Sequence, residues 1–328
     1  MKIGFIGNYQ PGYVGEIADE THITREIESF GHQVFRIPRD EWREYVIEKF
    51  PVGKYPHIPE NVTFDILIIC KWHHFYDGSF IIKAREKYKC PVFLWVWDYM
   101  YDQGFPQWHL DAIKAADLYL GNDVHCGLYL SEFKNKAYYF PFDVCDGELP
   151  IYKPIQKEYD VIFTGSCIGQ GNRIEYLKII NQTVPVTVFS WNHEAWQKMG
   201  FMAYPAVYGK EYNELIAKSK IVLGFSVNPN CWGYWSNRTG KVLQAGGCLL
   251  YEYAPGMELS FGDAMDYFNS PEEAIEKIQF YLSHEDERLF KERKAFLLST
   301  QFTSKTRVKQ LMILIDRYLK TNGKGWHY

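Results

Sequence analysis

Tyr234-Trp235-Ser236-Asn237-Arg238-Thr239-Gly240-Lys241-Val242-Leu243-Gln244-Ala245-Gly246-Gly247-Cys248-Leu249-Leu250-Tyr251 reads as loop, helix, tight turn and strand in succession. Ser236 and Asn237 are N-cap types placed just before a short apolar-periodic run. Gly246 and Gly247 supply the helix stop, and Cys248 to Tyr251 begin a buried strand. A helix start presents free backbone N–H groups and partial positive charge, which suits an anion. Arg238 and Lys241, three residues apart, share one side of the first turn. Two cations there favour a doubly charged group such as a diphosphate. An ordinary αβ unit carrying two solvated cations would read the same way, so both readings stand at this point.

Outward from this stretch the same αβ grammar recurs. Upstream, Asp160–Gly165 reads as a strand, Arg173–Ile180 as a helix, Val184–Ser190 as a strand, Lys210–Ser219 as a helix and Ile221–Ser226 as a strand. Downstream, Pro271–Leu282, Asp286–Leu298 and Thr303–Leu319 read as helices. The first half repeats the pattern. Strands are expected at Lys2–Gly7, His32–Ile37, Asp65–Cys70, Pro91–Trp97, Asp117–Gly121 and Ala137–Phe140. Helices fit Ile17–Phe30, Phe80–Tyr88, Trp108–Ala116 and Val124–Phe133. Continuous apolar strands of this kind belong to parallel sheets covered on both faces. Pro141 to Lys157, with three prolines and no clear period, reads as a linker. The expected fold class is therefore α/β, with two Rossmann-like doubly wound domains. Residues 1–150 form the first domain, 151–302 the second, and 303–328 a C-terminal helix.

In such sheets ligands sit at the carboxyl ends of the strands, so the residues after each strand hold the candidates. In the first half these are Asn8 to Gly15, Lys71 to His74, Asp98-Tyr99 and Asn122-Asp123; in the second, Gly165 to Arg173, Trp191 to His193, Val227 to Arg238 and Glu252 to Pro255. Glu20, His22 and Asp98 are candidates for acid–base work. Each also has an ordinary role: Glu20 favours a helix dipole, His22 suits a surface, and Asp98 can hydrogen-bond its own loop. Tyr9, Tyr13, Trp72, His73 and Tyr99 are expected to form an aromatic wall for an acceptor, with core packing as the alternative. The glycines at 7, 12 and 15 do not match the dinucleotide fingerprint, and no P-loop or serine-hydrolase elbow is present. His73-His74 point to opposite sides of an extended stretch, so no metal site is expected.

The chain has 328 residues, 47% hydrophobic, with a net charge of −4 and no long basic run, which argues against steering by a strongly basic surface while leaving room for a local basic groove. Seven scattered cysteines, an odd number without a C-x-x-C pair, fit a reducing cytoplasm. The N-terminus opens directly into a strand with no signal peptide, and no apolar run reaches the roughly 20 residues of a transmembrane helix.

Tyr234–Tyr251, Ala254-Pro255-Gly256-Met257-Glu258 and Ser270-Pro271-Glu272-Glu273-Ala274-Ile275-Glu276-Lys277-Ile278 resemble the CgeB-like (spore maturation protein type) glycosyltransferases of GT-B fold. Tyr159–Gly165, Arg173 and Tyr212–Leu223 fit the same domain. Asp19-Glu20-Thr21-His22-Ile23 and Trp95-Val96-Trp97-Asp98 agree more loosely with the first. The resemblance implies two domains facing a central cleft, with the last helix crossing back to the first. It implies a metal-independent transfer of a sugar from a nucleotide-sugar to an acceptor, with no cofactor beyond that co-substrate. By position, Arg238 would contact the diphosphate, Ser236, Asn237 and Thr239 would line its pocket, and Arg173 would add a second phosphate contact. Gly165, Ser166 and Lys241 complete the expected donor side. At Lys241 many related retaining enzymes have a Glu that bonds the ribose. The acceptor (saccharide, protein, lipid-linked or nucleic acid) stays open. A non-catalytic nucleotide or nucleotide-sugar binding protein and a nucleotide-sugar epimerase are the alternatives.

Overall fold

In a computed structural model, the apolar runs form two sheets of six parallel strands each. The structure describes residues 1–7, 19–38, 61–70, 77–97, 105–122, 136–141, 155–167, 171–321 and 323. The chain divides into two units, Met1–Cys145 with Ser304–Tyr328, and Asp146–Thr303.

In the first unit the strands are β1 (Lys2–Gly7), β2 (Gln33–Pro38), β3 (Ile66–Cys70), β4 (Val92–Val96), β5 (Leu118–Gly121) and β6 (Ala137–Tyr139), in spatial order β2-β1-β3-β4-β5-β6. Helices α1 (Asp19–Ser29), α2 (Gly78–Tyr88) and α3 (Gln107–Ala115) lie between them in sequence. The strand order reverses between β1 and β3, which makes that crevice the topological switch point. Every residue of β3 and of β4 is buried, as a sheet covered on both faces requires. The Ser304–Thr321 helix belongs to this unit. Its Val308, Leu311 and Ile315 are fully buried in one cluster with Ile3, Phe5, Ile23, Ile27, Ile66 and Phe93. Burying three such side chains contributes about 5–9 kcal/mol at roughly 1.5–3 kcal/mol each. Tyr318 adds an edge-to-face contact with Phe93, ring centroids 5.1 Å apart.

The second unit runs β7 (Tyr159–Thr164), α4 (Arg173–Thr183), β8 (Thr187–Phe189), α5 (His193–Lys198), β9 (Met202–Tyr204), α6 (Gly209–Ala217), β10 (Ser219–Gly224), α7 (Asn237–Gln244), β11 (Leu249–Glu252), α8 (Met257–Phe261), β12 (Asp266–Phe268), α9 (Pro271–Ser283) and α10 (Glu285–Ser299). The spatial order is β12-β11-β10-β7-β8-β9. The chain moves outward from β7 through β8 and β9, returns to lay β10 beside β7, and continues outward through β11 and β12. The switch point therefore lies between β7 and β10. Two apolar clusters, around Phe163 and Trp196 on one face and Ile162 and Val242 on the other, bury the sheet. Helix starts follow their sequence signals. At α9 the Ser270 hydroxyl accepts from Glu273 N at 3.2 Å, Glu273 accepts from Asn269 N at 2.8 Å, and Pro271 occupies the first turn.

Several boundaries depart from expectation. Helix α4 runs on to Thr183, because only at Val184, before Pro185, is the backbone pushed to an extended conformation. Strand β8 is correspondingly short. Residues 191–209 and 253–269, assigned no element from sequence, hold α5, β9, α8 and β12, elements of three to six residues whose apolar runs are too short to register. The expected helix Val124–Phe133 and residues 142–154 of the linker lie outside the described residues. No helix among the described residues is long and apolar enough to cross a membrane.

Candidate functional site

The carboxyl edge at the β7/β10 switch point gathers the second unit's chemistry. Strand β7 ends at Thr164 and passes into Gly165 and Ser166. Across the switch, β10 leads through a loop to α7. That loop is fastened to the turn after β11, Gly233 N donating to Pro255 O at 2.8 Å. Helix α7 begins as its sequence dictates: Ser236 is the N-cap, in extended conformation, and its hydroxyl accepts from Arg238 N at 3.3 Å. This places Arg238 in the first turn, half-buried, with its guanidinium over Gly165. A Cβ added at Gly165 would come within 3.2 Å of Arg238 Nη1 and 2.6 Å of the Phe163 ring. Only a glycine allows this approach.

Arg173, the first residue of α4, is buried. Its Nη1 donates to the Ser166 carbonyl at 3.3 Å, its guanidinium lies 5.8 Å from the centre of the Phe163 ring, and its Nε has no partner among the described residues. Burial lowers its pKa, and the neighbouring Arg238 cation lowers it further. A guanidinium stays charged under any ordinary condition, so a buried one beside a second cation is a favourable place for an anion. Two arginines, each in the first turn of a helix on either side of one switch point, repel each other until something negative arrives.

Of the residues expected on the donor side, Gly165, Ser166, Arg173 and Arg238 come together directly. Ser236 caps the helix. Thr239 is buried beneath the helix start, facing the Tyr251 hydroxyl. Asn237 and Lys241 are half-buried on the same helix. Lys241 lies close to Tyr212, whose hydroxyl is 3.1 Å from Thr164 Oγ1 and feels both the Arg238 and the Lys241 charge. Burial raises the Tyr212 pKa despite those cations.

Three polar groups at this edge were given no role from sequence: Tyr212, and Asn172 and Glu252, which lie within the strand-end stretches Gly165 to Arg173 and Glu252 to Pro255. Asn172 stands at the N-cap of α4 but makes no side-chain cap there. Its Nδ2 instead donates to Glu252 Oε1 at 3.2 Å. Glu252, the last residue of β11, is 3% exposed, and its Oε2 has no partner among the described residues. Burial raises its pKa, while the Asn172 hydrogen bond and the Arg173 charge pull it down. The available signal was a carboxylate directly after the apolar run Leu249-Leu250-Tyr251, the same rule that selects Asp98.

In the first unit, Glu20 is buried and His22 half-buried on α1, the helix that follows β1 at that unit's switch point. Thr24 donates to the Glu20 carbonyl at 2.8 Å. Asp98, Tyr9, Tyr13, Trp72, His73 and Tyr99 lie outside the described residues.

Residues 163–313 match the family model described as glycosyl transferase-like. This part of the chain is glycosyltransferase-like. The matched segment contains Gly165, Arg173, Arg238, Lys241 and Glu252. No curated protein matches the chain. Among solved structures, Anabaena Alr3699/HepE in complex with UDP and glucose is 13% identical, with a TM-score of 0.64 over 97% of this chain and 100% of that one. Sucrose-phosphate synthase from Thermosynechococcus elongatus is 9% identical, with a TM-score of 0.68 over 97% and 99%. An alpha-glucosyltransferase in complex with UDP-glucose and DNA containing an abasic site is 12% identical, with a TM-score of 0.63 over 96% and 98%. At these identities the likeness is one of fold: the two-domain α/β fold of GT-B glycosyltransferases.

Proposed function

We propose that the chain is a nucleotide-sugar-dependent, metal-independent glycosyltransferase of the CgeB-like type, working in the cytoplasm on an acceptor bound by the first unit. The observation that carries this reading is the pair of arginines, Arg173 and Arg238, at two helix starts near Gly165 and Ser166, with Arg173 Nε unpartnered among the described residues. The UDP and UDP-glucose held by proteins of this fold support a donor of the same class. In the reaction, an acceptor hydroxyl oxygen attacks the anomeric carbon of the donor. The bond from that carbon to the diphosphate oxygen breaks, and its electron pair leaves with the nucleoside diphosphate. The hydroxyl proton passes to a base, for which Glu20, His22 and Asp98 are the candidates. Negative charge grows on the leaving diphosphate, and fixed cations with helix-terminal N–H groups stabilise it without a metal.

The test is turnover. The protein is incubated with UDP-, GDP-, ADP- and TDP-sugars, with and without candidate acceptors and with EDTA present, and free nucleotide is followed. Acceptor-dependent release of one nucleoside diphosphate is expected. Tight binding with no release under any condition would favour a binding module, and sugar isomerisation without acceptor would favour an epimerase.

A further inference from the structure

The anion site has a carboxylate in its wall, and the proposed function leaves it unused. Glu252 ends β11, and Asn172 leads into α4, which follows β7. Because β10 lies between β11 and β7, the 3.2 Å hydrogen bond from Asn172 Nδ2 to Glu252 Oε1 spans the carboxyl end of β10. The chain prepares this bridge. Gly171, in the left-handed region at φ 85°, packs against the backbone that leaves β10, where a Cβ would sit 3.5 Å from Val227 O and 3.6 Å from Ser226 O. That turn sends the Asn172 side chain to the carboxylate rather than to its own helix, so α4 begins without a side-chain cap.

The result is a carboxylate held at one oxygen and unfilled at the other. Oε2 is buried with no partner and no ion pair among the described residues. A buried, unfilled carboxylate oxygen is costly, and a ligand that supplies its partner recovers that cost. An ionised carboxylate only accepts hydrogen bonds. A diphosphate, which has no donor to offer and carries like charge, is therefore the wrong partner for it, although Arg173, whose charge acts on Glu252, and Arg238 are the right partners for a diphosphate. A group on the same ligand must bring an O–H. In a nucleotide-sugar the hydroxyls of the ribose and of the sugar flank the diphosphate on its two sides.

Resting on the nucleotide-sugar reading of the site, we propose that Glu252 is a specificity-determining residue whose Oε2 accepts a hydrogen bond from a donor hydroxyl, with Asn172 holding the carboxylate in place. The site is then bipolar. Arg173 and Arg238 take the charge, and Glu252 reads the hydroxyl and turns away bare phosphates. Lys241, which has donors but no acceptor, cannot perform this reading.

Calorimetry at fixed pH tests it, with wild type, Glu252→Gln and Asn172→Ala, against UDP, 2′-deoxy-UDP, UDP-glucose, UDP-2-deoxyglucose and inorganic pyrophosphate. If another nucleoside diphosphate is the one that binds wild type, its series replaces the uridine series. Wild type is expected to prefer one hydroxyl-bearing ligand over its deoxy counterpart by about 10-fold or more, the span of a charged hydrogen bond. The ribose pair and the sugar pair distinguish which hydroxyl is read. In Glu252→Gln that preference is expected to collapse, while pyrophosphate binds as well as before or more tightly, because a negative charge has gone. Asn172→Ala, which keeps the carboxylate but frees it, is expected to reduce the preference in part. A Glu252→Gln protein that loses the same factor for every probe, pyrophosphate included, would reduce Glu252 to a structural residue. Unchanged preferences for both deoxy pairs would also overturn the proposal while leaving the nucleotide-sugar reading intact. Failure of every nucleoside diphosphate to bind wild type would overturn that reading itself.

Discussion

Replacing Arg238 by alanine separates a binding role from a structural one, because the structure assigns it opposite effects on the two. In the free protein the Arg238 guanidinium is half-buried, lies over Gly165 and makes no ion pair among the described residues. Its charge acts instead to disfavour the buried Arg173 cation. Removing it deletes no favourable partner and relieves a repulsion, so the melting temperature of free Arg238→Ala is expected to stay level or rise slightly. Under the proposed function, with a nucleoside diphosphate bound, the same side chain makes charge-assisted hydrogen bonds worth about 1.5–3 kcal/mol, so its loss is expected to weaken binding about 10- to 150-fold. Ligand protection against melting follows. At a concentration 100 times the wild-type Kd, the ligand stabilises wild type by about 2.7 kcal/mol. At that concentration a 100-fold weaker variant sits at its own Kd and gains only about 0.4 kcal/mol. Calorimetry gives the affinity, and thermal unfolding with and without ligand gives the protection. Affinity within two-fold of wild type would show that this helix start is only a turn. A marked drop in the melting temperature of the free variant would show that Arg238 holds the fold.

Arg238→Lys is expected to recover only part of the affinity, since an ammonium cannot form the two-pronged contact of a guanidinium; the same titration reports it. Lys241→Glu is not expected to improve nucleotide binding, because it brings a negative charge toward the diphosphate, and tighter binding would contradict the assigned pose. Gly165→Ala places a methyl 2.6 Å from the Phe163 ring and 3.2 Å from Arg238 Nη1; it is expected to cost about 1–3 kcal/mol in denaturant unfolding and to weaken nucleotide binding by displacing the guanidinium. His109, buried and stacked on Phe105 at 4.5 Å between ring centres, has its pKa lowered by burial from 6.5 to about 3. The unfolded chain therefore takes up this proton first as pH falls below 6.5. Between pH 7 and pH 5 this one residue should remove about 2 kcal/mol of stability, an acid sensitivity that His109→Gln should lack when unfolding is measured at both pH values.

What the residue order disclosed and what it withheld have different physical origins. Strands such as Ile66–Cys70 and Tyr159–Thr164 declare themselves because a parallel sheet covered on both faces demands an unbroken apolar run. Met202–Tyr204 does not, since as a three-residue edge strand it buries only Ala203. Arg173 and Arg238 were legible because a cation at a helix start is a local pattern. The strand-end rule placed Glu252 in a candidate stretch but gave it no role. Its character depends on Asn172 turning away from its own helix, 80 residues earlier in the chain, and no local window contains both.

The return of Ser304–Thr321 to the first unit makes that unit discontinuous, with residues 146–303 inserted within it. On the ribosome this inverts the usual order of maturation. The first sheet emerges first, yet the face of it that receives Val308, Leu311 and Ile315 stays uncovered until the second unit has been made in full. The later-synthesised unit, being continuous, is free to finish first. Nascent chains released before residue 304 should therefore carry a folded second unit and a first one still unclosed, and the Ser304–Thr321 helix acts as the step that closes it.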